Sequence, residues 1–326
     1  MPGTVTLSLE VELGWGMHDL PGSDRFDIVS PGRRKETETL FRLLDLCERL
    51  DLPITFDVVG HLFLEECSGH HESPHCPGWF DADPGSSVER DPLFYAPDMI
   101  ERIRKSGTDN ELASHTFSHA LFEETSREAL DWDLEKSRQT HESAGLDAPR
   151  SLVPPRHQRP DRDLLAEHGI EAVRLPLAGN DPPVDNGLQA YKWLLTRQQV
   201  VEPPTVVDGI VESAVTPYTS LAPGYLPRGR LPPHPVFRIH PTSLLQRRFR
   251  SYLRRGLETA SEEEGFTHYW AHLYDISNDT VLKPLVSFLR DLAEHRNRGA
   301  VKIATMGELA AKSTQSDAQC DREDDH

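Results

Sequence analysis

Residues 4–13, TVTLSLEVEL, alternate without a break. Thr4, Thr6, Ser8, Glu10 and Glu12 fall on one face of an extended chain, and Val5, Leu7, Leu9, Val11 and Leu13 on the other. A strand of this kind packs helices on its apolar side and turns its polar side inward, as a barrel jacketed by helices requires. The two carboxylates then face whatever the barrel encloses. Their bland role would be that of a salt-bridged interior.

Outward from this strand the period changes to that of a helix from about Arg33 to Leu50, then returns to a strand at PITFDVVG, 53–60. The alternation continues. PDMIERIRKSG (97–107) reads as helix, ELAS (111–114) as strand, and TSREALDWDLEKSRQTHESAG (125–145) as a longer helix whose Thr125 and Glu128 have capping-box spacing. RSLVPP (150–155) is a strand end, RPDRDLLAEHGI (159–170) a short helix and EAVRL (171–175) a strand. VVDGIVES, a helix near Ser243 to Glu263, THYWAHLY, a helix near Thr280 to Arg298, and AVKIAT complete the series. Such a run without a composition break predicts an α/β fold, a single parallel barrel of seven or eight strands over residues 1–310. Residues 311–326 have no apolar periodicity and read as a disordered acidic tail. Two stretches are irregular: 67–95, with the length and composition of a functional loop or lid, and Ala178–Pro235, dense in proline, with one or two short strands at most, and expected to wrap over a barrel end.

The formal charge is −18, from 53 acids against 35 bases. Such a surface repels nucleic acid and anionic lipid, and suits high salt, so a halophilic source is the expectation from composition. No apolar run is long enough to span a membrane, and MPGTVTLSLE lacks a basic and apolar leader; a cytoplasmic protein is expected. Four cysteines do not make a disulfide framework in a chain of 326 residues.

SHTFSH, 114–119, sets His115 and His119 four positions apart just after the ELAS strand. In a helical turn that spacing brings both rings to one side, where they can share a cation. Further polar groups fall at the carboxyl ends of predicted strands, where a parallel barrel assembles its site: Glu10 and Glu12, Arg156 and His157 after SLVPP, and His272 in WAHLYD. Each has a plain alternative, an ion pair for Arg156 and a hydrogen-bonded core ring for His272. A cation held by His115, His119 and a carboxylate leaves a position for water, a second carboxylate can take that water's proton, and an imidazolium can protonate a leaving amine.

This set resembles the polysaccharide deacetylases of the NodB homology type, carbohydrate esterases of family 4. HTFSH matches the family's H-[ST]-x-x-H, EVELGWG (10–16) its first acidic motif, VPPRHQ (153–158) its proline-flanked arginine, and WAHLYD (270–275) its late histidine. The resemblance spans about residues 4–310. It implies a distorted (β/α) barrel with metal ligands Glu12, His115 and His119, general base Glu10, an orienting Arg156 and general acid His272. It also implies a divalent metal, zinc before cobalt, nickel or manganese, and an acylated sugar or glycan substrate. The activity implied is hydrolytic removal of an acyl group, N-acetyl first. An allantoinase-like hydrolase of another C–N bond and a non-catalytic saccharide- or metal-binding barrel are the alternatives. One departure is Glu10, where the family has aspartate: the added methylene moves the carboxylate by about 1.5 Å and re-aims the base or alters the activity. Trp15 is expected to pack rather than stack on sugar. The histidines of CSGHHESPHC (67–76) read as solvated loop residues before a structural zinc site.

Overall fold

The computed structural model describes residues 2–179, 187–262 and 264–311. In chain order the elements are β1 (Gly3–Val11), α1 (Arg34–Leu50), β2 (Thr55–Val58), α2 (Pro97–Arg104), β3 (Glu111–Ser114), α3 (Arg127–Ser143), β4 (Ser151–Leu152), α4 (Arg162–Glu167) and β5 (Ala172–Pro176). They continue with α5 (Gly187–Thr196), β6 (Thr205–Val207), β7 (Ile210–Val215), α6 (Thr242–Glu262), β8 (Phe266–His272), α7 (Leu273–Ile276), α8 (Asp279–Asn297) and β9 (Val301–Ile303). Of the tail expected over 311–326, all but Ala311 lies outside the described residues.

One curled sheet runs in the order β6-β7-β5-β4-β3-β2-β1-β8, with β9 also paired to β1. Every pairing is parallel except β6 with β7. Because β8 covers one edge of β1 along Thr4–Glu10, β2 and β9 share the other, β9 at Gly3–Val5 and β2 at Ser8–Val11. The fold is thus the expected distorted (β/α) barrel, left open between β7 and β8.

The alternation of β1 has the predicted result. Val5, Leu7, Leu9 and Val11 are buried in the main apolar core with Leu40, Leu43 and Leu44 of α1 and Leu285, Phe288 and Leu289 of α8. Ser8 and Glu10 point the other way, into a polar interior with Arg174 and His268. At about 25 cal/mol per Å² of apolar area removed from water, burial of this outer face is what holds the helices on the sheet.

Two expectations change in detail. Helix α3 begins one residue later than Thr125 implied, with Ser126 as the cap accepting from the Ala129 amide at 3.3 Å. Ala178–Pro235 does more than wrap over a barrel end. Besides the two short strands expected there, which form the β6–β7 hairpin, it contains α5, and its later part fills the open seam: the amides of Ser220 and Leu221 both donate to the Trp270 carbonyl, at 2.9 and 3.0 Å, along the edge of β8 that β1 leaves free. Gln199 reaches the same edge, donating to the His268 carbonyl at 2.9 Å. A buried strand edge must find such partners, and here irregular chain supplies them.

Candidate active site

The HTFSH stretch is not a helical turn. Thr116 and His119 both have left-handed backbone, φ 59° and 62°, and the rings of His115 and His119 come together, 5.1 Å between centroids, through a tight loop. That loop is held from below by Asp133 of α3. One of its oxygens accepts from the amides of Phe117 (2.6 Å) and Ser118 (3.0 Å), and the other from the Ser118 hydroxyl (2.5 Å). The carbonyls of Thr116 and Phe117 accept from the amides of Gly60 and His61, at 2.8 and 2.9 Å, so the loop is also fastened to the end of β2.

Glu12 lies opposite. Its Oε2 is 3.3 Å from His115 Nε2 and 3.0 Å from His119 Nε2, and its Oε1 accepts from the Tyr274 hydroxyl at 2.7 Å. The sequence makes room for this carboxylate at Gly16, where any Cβ would stand 2.3 Å from the Glu12 carboxyl. Trp15 is fully buried, its indole N–H on the Phe94 carbonyl at 3.3 Å, and packs as expected.

Glu10 is held by a residue that the motif reading passed over. Arg174, on β5 and wholly buried, makes an ion pair with Glu10, reaches Ser8 Oγ at 2.7 Å, and lies with its guanidinium 4.4 Å from the centre of the Trp270 ring. Arg156, expected to orient the base, instead pairs with Asp19 at 2.5 Å on the cavity rim. The physical reason is reach. Arg156 sits in a left-handed turn beyond the end of β4, whereas alternation on β5 points Arg174 straight into the barrel. The Ala172–Arg174 alternation in EAVRL was the available signal.

His272 ends β8. Its Nδ1 donates to Asp275 at 2.7 Å, and its Nε2 lies 3.1 Å from Glu10 and 3.7 Å from Glu12. Burial alone would push this imidazole down, yet Glu10, Glu12 and Asp275 together hold it well above its ordinary value. Conversely, burial would raise the Glu10 carboxyl, but His272 and Arg174 keep it far below the carboxylate range. His157, its ring edge-on to Trp270 at 4.6 Å, is pushed down to about 3, by burial first and then by Arg174, and stays neutral. Glu10, Glu12, His119, His157, Trp270 and His272 form the floor of a cavity of about 480 Å³, walled by Met17, Leu20, Tyr218, Thr219 and Arg228.

The donor set fits a cation. The Val153 carbonyl can only accept, so His115 Nδ1, 2.7 Å away, carries the proton and a neutral ring turns the bare Nε2 toward the Glu12 oxygen. Two lone pairs at 3.3 Å repel, and a positive charge must stand between them, a proton or a metal ion. The ligand atoms of Glu12, His115 and His119 lie within 4.8 Å of one another, close enough to share one ion.

Residues 25–173 match the polysaccharide deacetylase family. The matched stretch holds His115, His119 and Arg156, while Glu10, Glu12, Arg174 and His272 join the site through the fold. No curated protein matches the chain. Among solved structures, a Mycobacterium smegmatis chain assigned to the polysaccharide deacetylases superposes with a TM-score of 0.62 at 16% identity, over 96% of this chain and 91% of its own. A Pseudomonas aeruginosa PAO1 chain with the same assignment gives 0.58 at 13% identity, over 94% and 89%. Puue allantoinase gives 0.56 at 13% identity, also over 94% and 89%. At such identities the superpositions speak for the fold, and it is over residues 25–173 that the chain is similar to the polysaccharide deacetylase family.

Proposed function

We propose that the chain is a metal-dependent hydrolase that removes an acyl group, N-acetyl first, from an amino sugar or glycan. The observation that carries this reading is the convergence of Glu12, His115 and His119 beside the Glu10–His272 pair, with Glu10, Glu12, His119 and His272 open to one cavity. Glu12, His115 and His119 would hold a divalent cation, zinc before cobalt, nickel or manganese. Such an ion supplies a water of lowered pKa and polarises a carbonyl. Glu10, kept ionised by Arg174, accepts a proton from water. His272, kept cationic and oriented by Asp275, delivers a proton to the departing amine. Opposite protonation states on adjacent groups are what a base and an acid working in one site require. Arg156 and Asp19 at the rim are in place to meet a polar substrate rather than the reacting atoms.

The test is acetate release from N-acetylglucosamine oligomers by chelator-treated protein refilled with zinc. Release that depends on the metal, and that disappears with metal affinity in Glu12→Gln, supports the reading. A loaded protein that opens a cyclic ureide but releases no acetate would move it to the other C–N hydrolases. A loaded protein inert to both would leave a binding barrel.

A further inference from the structure

Asp83 lies in the long stretch between β2 and α2, outside the motifs used above, and its side chain is fully buried. Its Oδ1 accepts from the Tyr95 hydroxyl at 2.9 Å and from the Gly85 amide at 3.1 Å, which leaves Oδ2 turned to the other side. Three further atoms stand against that oxygen: His71 Nε2 at 2.7 Å, His61 Nε2 at 3.2 Å and Cys67 Sγ at 3.3 Å. Cys67 Sγ is also 3.5 Å from His71 Nε2. His61, in the short turn after β2, has Nδ1 3.2 Å from the Phe94 carbonyl, so the proton belongs there and Nε2 is bare in the neutral ring. That Nε2 is buried, has no hydrogen-bond partner, and faces the cluster. An orphaned ring nitrogen in a dry site is costly unless something absent from the chain itself satisfies it.

We infer that His61, Cys67, His71 and Asp83 form a second metal site, a closed structural one for zinc, separate from the cation at Glu12. The atom types are those zinc selects, two imidazole nitrogens, one thiolate and one carboxylate. The spacing agrees as well. Tetrahedral zinc with bonds of 2.0–2.3 Å sets its ligand atoms roughly 3.3–3.6 Å apart. The separations of 3.2, 3.3 and 3.5 Å already stand there, and the His71–Asp83 contact of 2.7 Å is a hydrogen bond that needs to open by about 0.6 Å. Four protein ligands leave no position for substrate, so the role is to clip the stretch 67–83 to the end of β2. Because the His61 amide donates to the Phe117 carbonyl, the clip also steadies the loop that carries His115 and His119. The expectation of solvated histidines over 67–76 is thereby revised in part. Cys67 and His71 enter the site, His75 instead pairs with Asp133 at 2.9 Å, and Cys76 stays exposed.

Cobalt(II) separates the two sites, since thiolate bound to cobalt gives a charge-transfer absorption and the Glu12 site contains no sulfur. Full-length protein stripped with chelator and titrated with cobalt alone should develop that absorption and saturate it by two ions per chain, one for each site, and in Glu12→Gln by one. Cys67→Ala should abolish it, Cys76→Ala and Glu12→Gln should leave it in place, and His71→Ala should weaken its titration more than tenfold. Absence of the absorption in the unaltered protein overturns the proposal without recourse to any variant. Its persistence in Cys67→Ala, or unchanged cobalt affinity in His71→Ala, overturns it equally.

Discussion

Glu10 has one methylene more than the aspartate of the resembling motif, and with it the carboxylate spans from the Arg174 guanidinium to the His272 ring, 3.1 Å away. Arg174 and His272 are placed for the longer side chain, so Glu10→Asp should draw the base back by about 1.5 Å and lower turnover. A gain in turnover would instead mark the native site as impaired. Glu10→Gln should keep the bound metal, whose ligands are untouched, and reduce kcat by roughly 10² to 10⁴. Unchanged kcat would remove Glu10 from the chemistry. Much of this site is legible in the sequence: alternation alone puts Glu10 and Glu12 on one inner face, and the spacing in HTFSH pairs the two histidines. Arg174 is not found that way. Its inward direction can be read from EAVRL, but its meeting with a residue 164 positions earlier depends on how β5 and β1 face each other across the barrel.

At the scale of elements, the HTFSH loop and α3 are one unit joined by Asp133. This carboxylate is buried, accepts two backbone amides and a hydroxyl, and pairs with His75. Asp133→Ala would strand those amides in a dry site, and should cost about 3 kcal/mol of stability, read as a lowered urea midpoint at unchanged slope. Metal affinity should fall with it, because Thr116 and His119 keep left-handed backbone only while the surroundings enforce it. A variant with native stability and native metal affinity would show that the loop holds its own shape. The α3 helix was evident from its pattern and its end was misplaced by one residue, since Thr125 and Ser126 are equally good caps and tertiary packing chooses between them. The signal for Asp133 was an acid on the apolar stripe of Ala129, Leu130 and Leu134, a place where a lone charge does not stay without partners.

For the molecule as a whole, the polar barrel interior sets how stability depends on pH. Asp57, buried on β2, is pushed up to about 7 by burial, against the pull of Arg174 and with the push of Glu10. Its carboxyl titrates near 3.8 when unfolded, so the folded form binds the extra proton between these values and the contribution of Asp57 to the stability of the metal-free protein falls as pH rises from about 4 through 7, opposite in sign to that of the buried neutral rings of His157 and His268. His272 and His115 are raised in the fold, so their contribution is full below the unfolded value of 6.5 and is lost as pH rises through the folded one. Both effects point the same way. Asp57→Asn should shift the slope of stability against pH upward between about 4 and 7, measured by urea unfolding of chelated protein, and an unaltered slope would exclude Asp57 as a contributor. The barrel itself was foreseen from the run of strands and helices, whereas its open seam was not, because backbone pairing across β7 and β8 leaves no mark on either strand's pattern. The segment that fills that seam has a second duty: Pro217, Tyr218, Thr219 and Gly224 from the same stretch line the same cavity as Glu10, Glu12, His119 and His272. Part of the cavity's wall and its floor therefore come from different lengths of chain, so that changes at Tyr218 or Gly224 should reshape the mouth while the floor groups keep their places.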